Sequence, residues 1–330
     1  MPSVMHSVDE VRDLIQSGKA LLLAGDEAQL SKLPKGNWIG GTIPYFIGDE
    51  GGVCSRELIH VTMLPDAVLA VSIDRYDENT ISTVYTDGTD AGFSLIIIPS
   101  SSATHLAFAL NAPTYPSFGV KPLVGWISGV HLSELGVATP KVFDGRSCEA
   151  LANAAMVLRA KLAPGRLADV GIVNIFERGE GSTIKFEADG FSVTEAVIDG
   201  KKRPLAAWLK EEALDTRYPL VADYMGTQVN VSFQAVNDES GEVTFYAPVF
   251  AGVEYRAARP VGDYVAEFNQ RVPEVNVEHM AFACNCILNY LYSELEGKKT
   301  GRITGPATFG EVAYQLLNQT LVYLVIVDAE

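Results

Sequence analysis

Long apolar runs are missing from this chain. No stretch approaches the roughly 18 consecutive apolar residues that a membrane-crossing helix needs, which excludes an ordinary helical membrane protein. Positive charge is scarce too. The formal charge is −16, and the one compact basic cluster is Lys201-Lys202-Arg203. Nucleic-acid partners require clustered Lys and Arg, so none is expected. The basic triplet reads as a solvated hairpin after Asp199-Gly200. Cysteine occurs only at 54, 148, 284 and 286, which is no disulfide framework. The first residues carry Asp9, Glu10 and Asp13 without an apolar signal core, so a cytoplasmic, bacterial-type setting is expected.

Metal and nucleotide signatures are also lacking. The histidines, at 6, 60, 105, 131 and 279, form no i, i+4 pair. Cys284-Asn285-Cys286 lacks the two-residue spacer of a zinc site. No G-x-G-x-x-G opens a helix, no G-K-[ST] occurs, and no G-x-S-x-G offers a hydrolase elbow. No cofactor is expected.

What the chain does contain is core material. Its 330 residues are 48% hydrophobic and 20% charged, enough for one large or two ordinary domains. Residues 7–18 predict a short helix capped by Ser7 with Glu10 three residues on. Residues 20–25, 37–48, 68–74, 94–100 and 122–130 predict strands, and 101–113 a helix with a serine-rich start. The alanine-rich segment 148–165 predicts a helix stopped by Pro164-Gly165. Segments 168–177 and 183–200 carry strand and hairpin signals with Asp-Gly pairs. Pro204 opens a predicted helix at its first position. Residues 228–236 and 243–250 flank a predicted hairpin loop. Residues 279–286 predict a buried strand and 287–299 a helix with Leu288, Leu291 and Leu295 on one stripe. The mixture predicts an α+β or mixed α/β fold. The best division falls near 195–225, giving a first domain of 1–200 and a second of 201–330.

The end of the chain concentrates polar groups against apolar ones. Asn318, Gln319 and Thr320 precede the apolar run Leu321 to Val327, and Glu311 lies upstream. Buried amides and hydroxyls must find partners, so this set either ties down backbone or faces a ligand. On a strand, Asn318 and Thr320 would point one way and Gln319 the other. Glu311 must find a partner or shift its pKa; it reads as a grip on a ligand ammonium or as a bond to turn backbone. Cys284 sits where a strand gives way to a helix, a place where α/β proteins gather ligands. It reads as a small core residue, a pocket wall or a nucleophile. Gly40-Gly41, Gly125 and Gly129 allow close approach of a neighbouring strand or of a ligand.

The segments MAFACNC, ILNYLYSELEG, TFGE (308–311) and NQTLVYL (318–324) together resemble the C-terminal domain of the FIST family (F-box and intracellular signal transduction proteins). Residues 247–268 resemble the strand and helix that precede these pieces in that family. GNWIGGTI (36–43) and KPLVGWISG (121–129) sit about where its N-terminal domain carries glycine-rich strand ends. The resemblance implies two related halves built on mixed sheets covered by helices. It implies a sensory module for a small metabolite, with amino acids as the ligand class and no reaction; since no output domain is visible in the sequence, a signalling partner or homodimer is expected. The candidate ligand-binding residues are Cys284, Asn285, Glu311, Asn318, Thr320, Gly40 and Gly41. The chain departs from the family where glycine and arginine often follow the cysteine; Asn285-Cys286 stands there instead. Two other readings remain open: a cysteine-dependent hydrolase or transferase using Cys284, and a protein-interaction scaffold.

Overall fold

The computed structural model describes residues 4–224, 227–272, 279–299 and 301–329. Five sheets hold the strands of these residues. Three six-stranded sheets each contain one parallel pair among antiparallel neighbours. In each case a helix lies between the two parallel strands. Leu21–Gly25 and Trp38–Thr42 flank α2 (Glu27–Leu30). Gly92–Pro99 and Leu123–Ser128 flank α3 (Ala103–Asn111). Met280–Cys286 and Gly305–Thr308 flank α6 (Ile287–Tyr292). Parallel strands need such crossovers, and their carboxyl ends are left open for loops and ligands.

Local chemistry accounts for many elements. In α1 (Val8–Gln16), Ser7 accepts from the Glu10 N–H while the Glu10 carboxylate takes the Ser7 N–H, the reciprocal cap read from the sequence. Asp199 and Gly200 both have positive φ, the requirement of a two-residue hairpin of the primed type, and join Glu195–Ile198 to Lys201–Pro204. Lys202 and Arg203 lie along that hairpin, paired with Glu187, Glu195 and Glu211. Pro204 sits one position earlier than expected, as the cap of α4 (Leu205–Glu211).

Several expectations are corrected. Segment 148–165 is not a helix. It forms the strands Glu149–Leu151 and Ala155–Leu162, the second running between Val68–Tyr76 and Gly92–Pro99. Its alanines favour helix only weakly, and burial on both faces of a central strand decides the outcome. Arg159, buried in that strand, pairs with Asp74 at 2.8 Å and donates to Ser94 at 3.1 Å and to the Val84 carbonyl at 3.2 Å. The helix expected over 287–299 ends at Tyr292; Leu288 and Leu295 are buried, but Leu291 is exposed. Helices are few beside the strands, α5 (Tyr264–Arg271) among them.

Strand pairing does not follow a division after residue 200. Tyr45–Gly48 pairs with Gly305–Thr308, Leu123–Ser128 with Glu311–Ala313, and Arg166–Val173 with Leu321–Asp328. One large core includes Ile39, Ile97, Trp126, Met156, Phe282 and Val322. A second compact core, with Phe186, Trp208, Leu220, Phe245 and Tyr255, belongs to the segment 184–255. The expected boundary near 195–225 falls inside that unit.

Candidate functional site

The strand Met280–Cys286 lies between Leu321–Asp328 and Gly305–Thr308. All of it except Met280 is buried. Cys284, 1% exposed, donates its thiol to the Gly125 carbonyl at 3.4 Å. Burial first, and Glu311 second, push the thiols of both Cys284 and Cys286 well up. Both therefore stay protonated, which removes the thiolate that a nucleophile needs.

Beyond Cys284 the strand end becomes an amide network. Asn285 Oδ1 accepts from the Cys286 N–H at 2.8 Å and from Asn289 Nδ2 at 2.9 Å. Asn289, on α6, also donates to the Thr320 carbonyl at 3.4 Å. Thr308 Oγ1 donates to the Asn285 carbonyl at 3.2 Å. The Tyr264 hydroxyl lies beside both Asn285 and Asn289.

Glu311 closes the network from the other side. Its strand, Glu311–Ala313, turns back at Tyr314 into Gln315–Leu317. The carboxyl is 0% exposed. Its Oε2 accepts from the Thr320 hydroxyl at 2.8 Å and the Thr320 N–H at 3.2 Å, and Cys286 lies against it. Burial pushes its pKa up to about 8, against the opposing pull of Thr320. At neutral pH the group is mostly a carboxylic acid, so the ammonium grip read from the sequence is not what its position offers.

Residues 318–320 are not on a strand. They form a turn with Gln319 at φ 51°, so strand alternation does not apply. Asn318 and Gln319 instead share one partner: Ser232 Oγ reaches Asn318 Oδ1 at 2.6 Å and Gln319 Oε1 at 2.5 Å. Asn230 Nδ2 donates to the carbonyls of both residues, at 3.2 and 3.3 Å, and pairs with Asn174. Gln319 Nε2 donates to the Arg217 carbonyl at 2.9 Å. The cluster thus tethers the last hairpin to the strand Thr227–Val231 and its neighbours, the backbone role weighed above.

The network is also the floor of a cleft. A cavity of about 490 Å³ opens over Asn289 and Gln319. Its walls carry Tyr264, Tyr218, Phe176 and Tyr292. Two cations, Arg217 and Lys298, and two acids, Asp263 and Glu294, complete it. Glu294 and Gln319 both hold positive φ, a conformation that non-glycine residues adopt at some cost and that gathers at functional sites. Asn289 Oδ1 is buried and no hydrogen bond from the described residues satisfies it; the same is true of Asn285 Nδ2, Asn318 Nδ2 and Glu311 Oε1. Each such group costs about 1–3 kcal/mol unless something pairs with it.

The structure therefore brings together five of the expected residues, Cys284, Asn285, Glu311, Asn318 and Thr320, but places them under the cleft rather than on its surface. It leaves Gly40 and Gly41 elsewhere. A side chain at Gly41 would meet the Trp126 ring at 2.5 Å, and one at Gly40 the Leu23 carbonyl at 3.3 Å. Gly41 thus lets two sheets close on each other, through Trp126 and Ile97, while Gly40 lies against Leu23 on the neighbouring strand of its own sheet. Sequence reasoning missed Asn289, Tyr264, Arg217 and Lys298. Only Asn289 left a trace, being four residues after Asn285 with an apolar helix start between them. Among the described residues no cluster of three or more His, Cys, Asp or Glu side chains is placed to hold a metal. No helix among them is long and apolar enough to cross a membrane.

Residues 6–327 match the family described as "Family of unknown function (DUF6976)", and the chain belongs to that family. No curated protein and no solved structure matches it.

Proposed function

We propose that this chain is a small-ligand-binding module of the sensory kind, and that the cleft over Asn289 and Gln319 takes a small zwitterionic, amino-acid-like metabolite. The observation that carries the reading is the lining of that cleft. Arg217 and Lys298 can receive a carboxylate, and Asp263 and Glu294 an ammonium. Aromatic walls and a floor of neutral amides complete a mostly preformed site of ordinary ligand size. No arginine follows Cys284 in the sequence, yet Arg217 supplies a guanidinium to the same cleft from another part of the fold. The reading agrees with what the FIST resemblance implies.

The proposal includes no reaction, since both thiols near the cleft are buried and held protonated. A change at the cleft would pass to a partner protein or a second copy of the chain, in a cytoplasmic setting. The test is a thermal-shift screen against amino acids, simple carboxylates, simple amines and nucleotides. Ligand that binds only the folded state raises the melting temperature, by about 2.7 kcal/mol of stability at 100 times the dissociation constant. Amino acids should shift it, carboxylates and amines less, and Arg217→Ala should abolish the shift. A shift confined to nucleotides, or none at all, would overturn the reading.

A further inference from the structure

A second cavity, also of about 490 Å³, lies at the carboxyl end of a different parallel strand. It opens where Gly92–Pro99 runs through Ser100, Ser101 and Ser102 into α3. Its other wall is the far side of α6. No Asp, Glu, Lys or Arg lines it. Phe191, Phe245 and Phe309 form the interior, and Leu106, Leu135 and Leu291 stand at the cavity while remaining exposed. Leu106 is 49% and Leu135 54% exposed. Large apolar side chains converging on one opening mark a binding surface more often than chance exposure does.

One polar group in this cavity lacks a partner. His105 is 8% exposed and lines the cavity. The Ser101 N–H donates to its Nδ1 at 3.3 Å, so the ring proton sits on Nε2. No acceptor among the described residues meets that buried Nε2. Burial lowers the imidazole to about 4, so it stays neutral at physiological pH. The start of α3 is itself satisfied. Asn153 accepts from the Ala103 N–H at 2.8 Å, and Ser102 Oγ accepts from the His105 N–H at 3.0 Å. The open position is therefore the imidazole donor, not the helix end; the Ser100 and Ser101 hydroxyls meet each other at 3.4 Å.

A neutral donor in an uncharged apolar cavity suits an uncharged acceptor. A carboxylate would leave water without meeting a cation, in a protein of net charge −16. We propose that this cavity is a second binding site, for an uncharged amphipathic molecule whose apolar chain fills the space between the phenylalanines and whose carbonyl oxygen, as in a ketone, ester or lactone, accepts from His105 Nε2–H. This site is independent of the charged cleft and of the amino-acid reading.

Isothermal titration of the full chain with 2-decanone and with decanoate at pH 7.5 tests it. The ketone should bind at least tenfold more tightly than the carboxylate. Leu106→Trp, at an exposed rim position, should abolish ketone binding, whereas Arg217→Ala should leave it unchanged. His105→Phe should weaken it at least fivefold. Should that variant fail to fold, the carbonyl stretch of 2-decanone bound to the unsubstituted protein answers the same question, and it should move to lower frequency than in hexane. Absence of ketone binding, equal binding of decanoate, retained affinity in Leu106→Trp, or an unshifted carbonyl stretch would each overturn the proposal.

Discussion

Two crossovers in this molecule share a plan and differ in chemistry. One runs from Gly92–Pro99 through α3 to Leu123–Ser128, the other from Met280–Cys286 through α6 to Gly305–Thr308. Each leaves a cavity at the carboxyl end of its first strand. The first is walled by phenylalanines and leucines and carries no charge. The second is floored by amides and carries charges of both signs. The difference comes from Ser100, Ser101 and His105 past the end of one strand, and from Asn289 past the end of the other together with Arg217, Asp263, Glu294 and Lys298 brought in from elsewhere. A shared backbone pattern sets where a ligand can sit, and those residues set which ligand. The two cavities also share a wall. Asn289 and Tyr292 of α6 face the charged cleft, while Ile287, Leu288 and Leu291 face the apolar one, as helical spacing requires.

The largest effect that separates the two regions should be the sign of their pH dependence: buried His105 in the apolar region loses stability as pH falls from 6.5 towards 4, whereas Glu311 in the charged one loses it as pH rises. Between pH 4.5 and about 8 the folded chain keeps a proton on Glu311 that the unfolded chain has released. The folded state then binds more protons at Glu311, so this contribution to stability is full below pH 4.5 and falls as pH rises through this window. The loss amounts to several kcal/mol as an upper bound, at about 1.4 kcal/mol per pH unit. Urea melts from pH 5 to 8 should show it, and Glu311→Gln should flatten the slope. A slope unchanged in Glu311→Gln would assign the effect to another group.

Next comes Asn318→Ala. It strips an acceptor from the buried Ser232 hydroxyl and the Ser232 N–H. It should cost about 1–3 kcal/mol in chemical denaturation, because the buried Ser232 N–H is left unpaired while the hydroxyl keeps Gln319 Oε1. A cost under about 0.5 kcal/mol would mean that the amide turn is not a tether. A third contrast concerns thiols. Cys148 is exposed, whereas Cys284 and Cys286 are buried. Iodoacetamide at pH 7.5 should label Cys148 in the native protein and leave Cys284 and Cys286 unreacted until unfolding. Prompt loss of the Cys284 thiol would revive the cysteine-enzyme reading. The smallest stability effect is expected at Arg217→Ala, within about 0.5 kcal/mol, since that side chain is largely exposed and its ion pair among the described residues is with Asp215. Its binding effect should instead be large, and that split marks a ligand contact.

Local signals carried much of the fold. Ser7 and Glu10 announced α1, and Asp199-Gly200 announced its hairpin, because caps and tight turns depend on neighbours in sequence. The apolar runs of Leu21–Gly25, Gly92–Pro99 and Met280–Cys286 were legible as strands for the same reason. The segment 148–165 was not. Its fate rests on burial between Val68–Tyr76 and Gly92–Pro99, where Asp74 and Ser94 meet Arg159 only once the sheet has formed. The polar set at the end of the chain was legible as a cluster, since Glu311, Asn318 and Thr320 stand close in sequence. The cleft above it was not, because Arg217, Asp263 and Lys298 come from separate loops with no shared motif. Nor could strand alternation apply to residues 318–320, where a single left-handed Gln319 makes a turn.

The charged cleft is the centre of the functional account, and calorimetric titration with the amino acid that gives the largest thermal shift tests it most directly. Binding to the unsubstituted protein should be saturable with one site. It should weaken at least tenfold in Arg217→Ala and again in Asn289→Leu, with Leu106→Trp binding normally. Equal affinity in Arg217→Ala and in the unsubstituted protein, or loss of binding in Leu106→Trp alone, would contradict the account and move the ligand to the other side of α6.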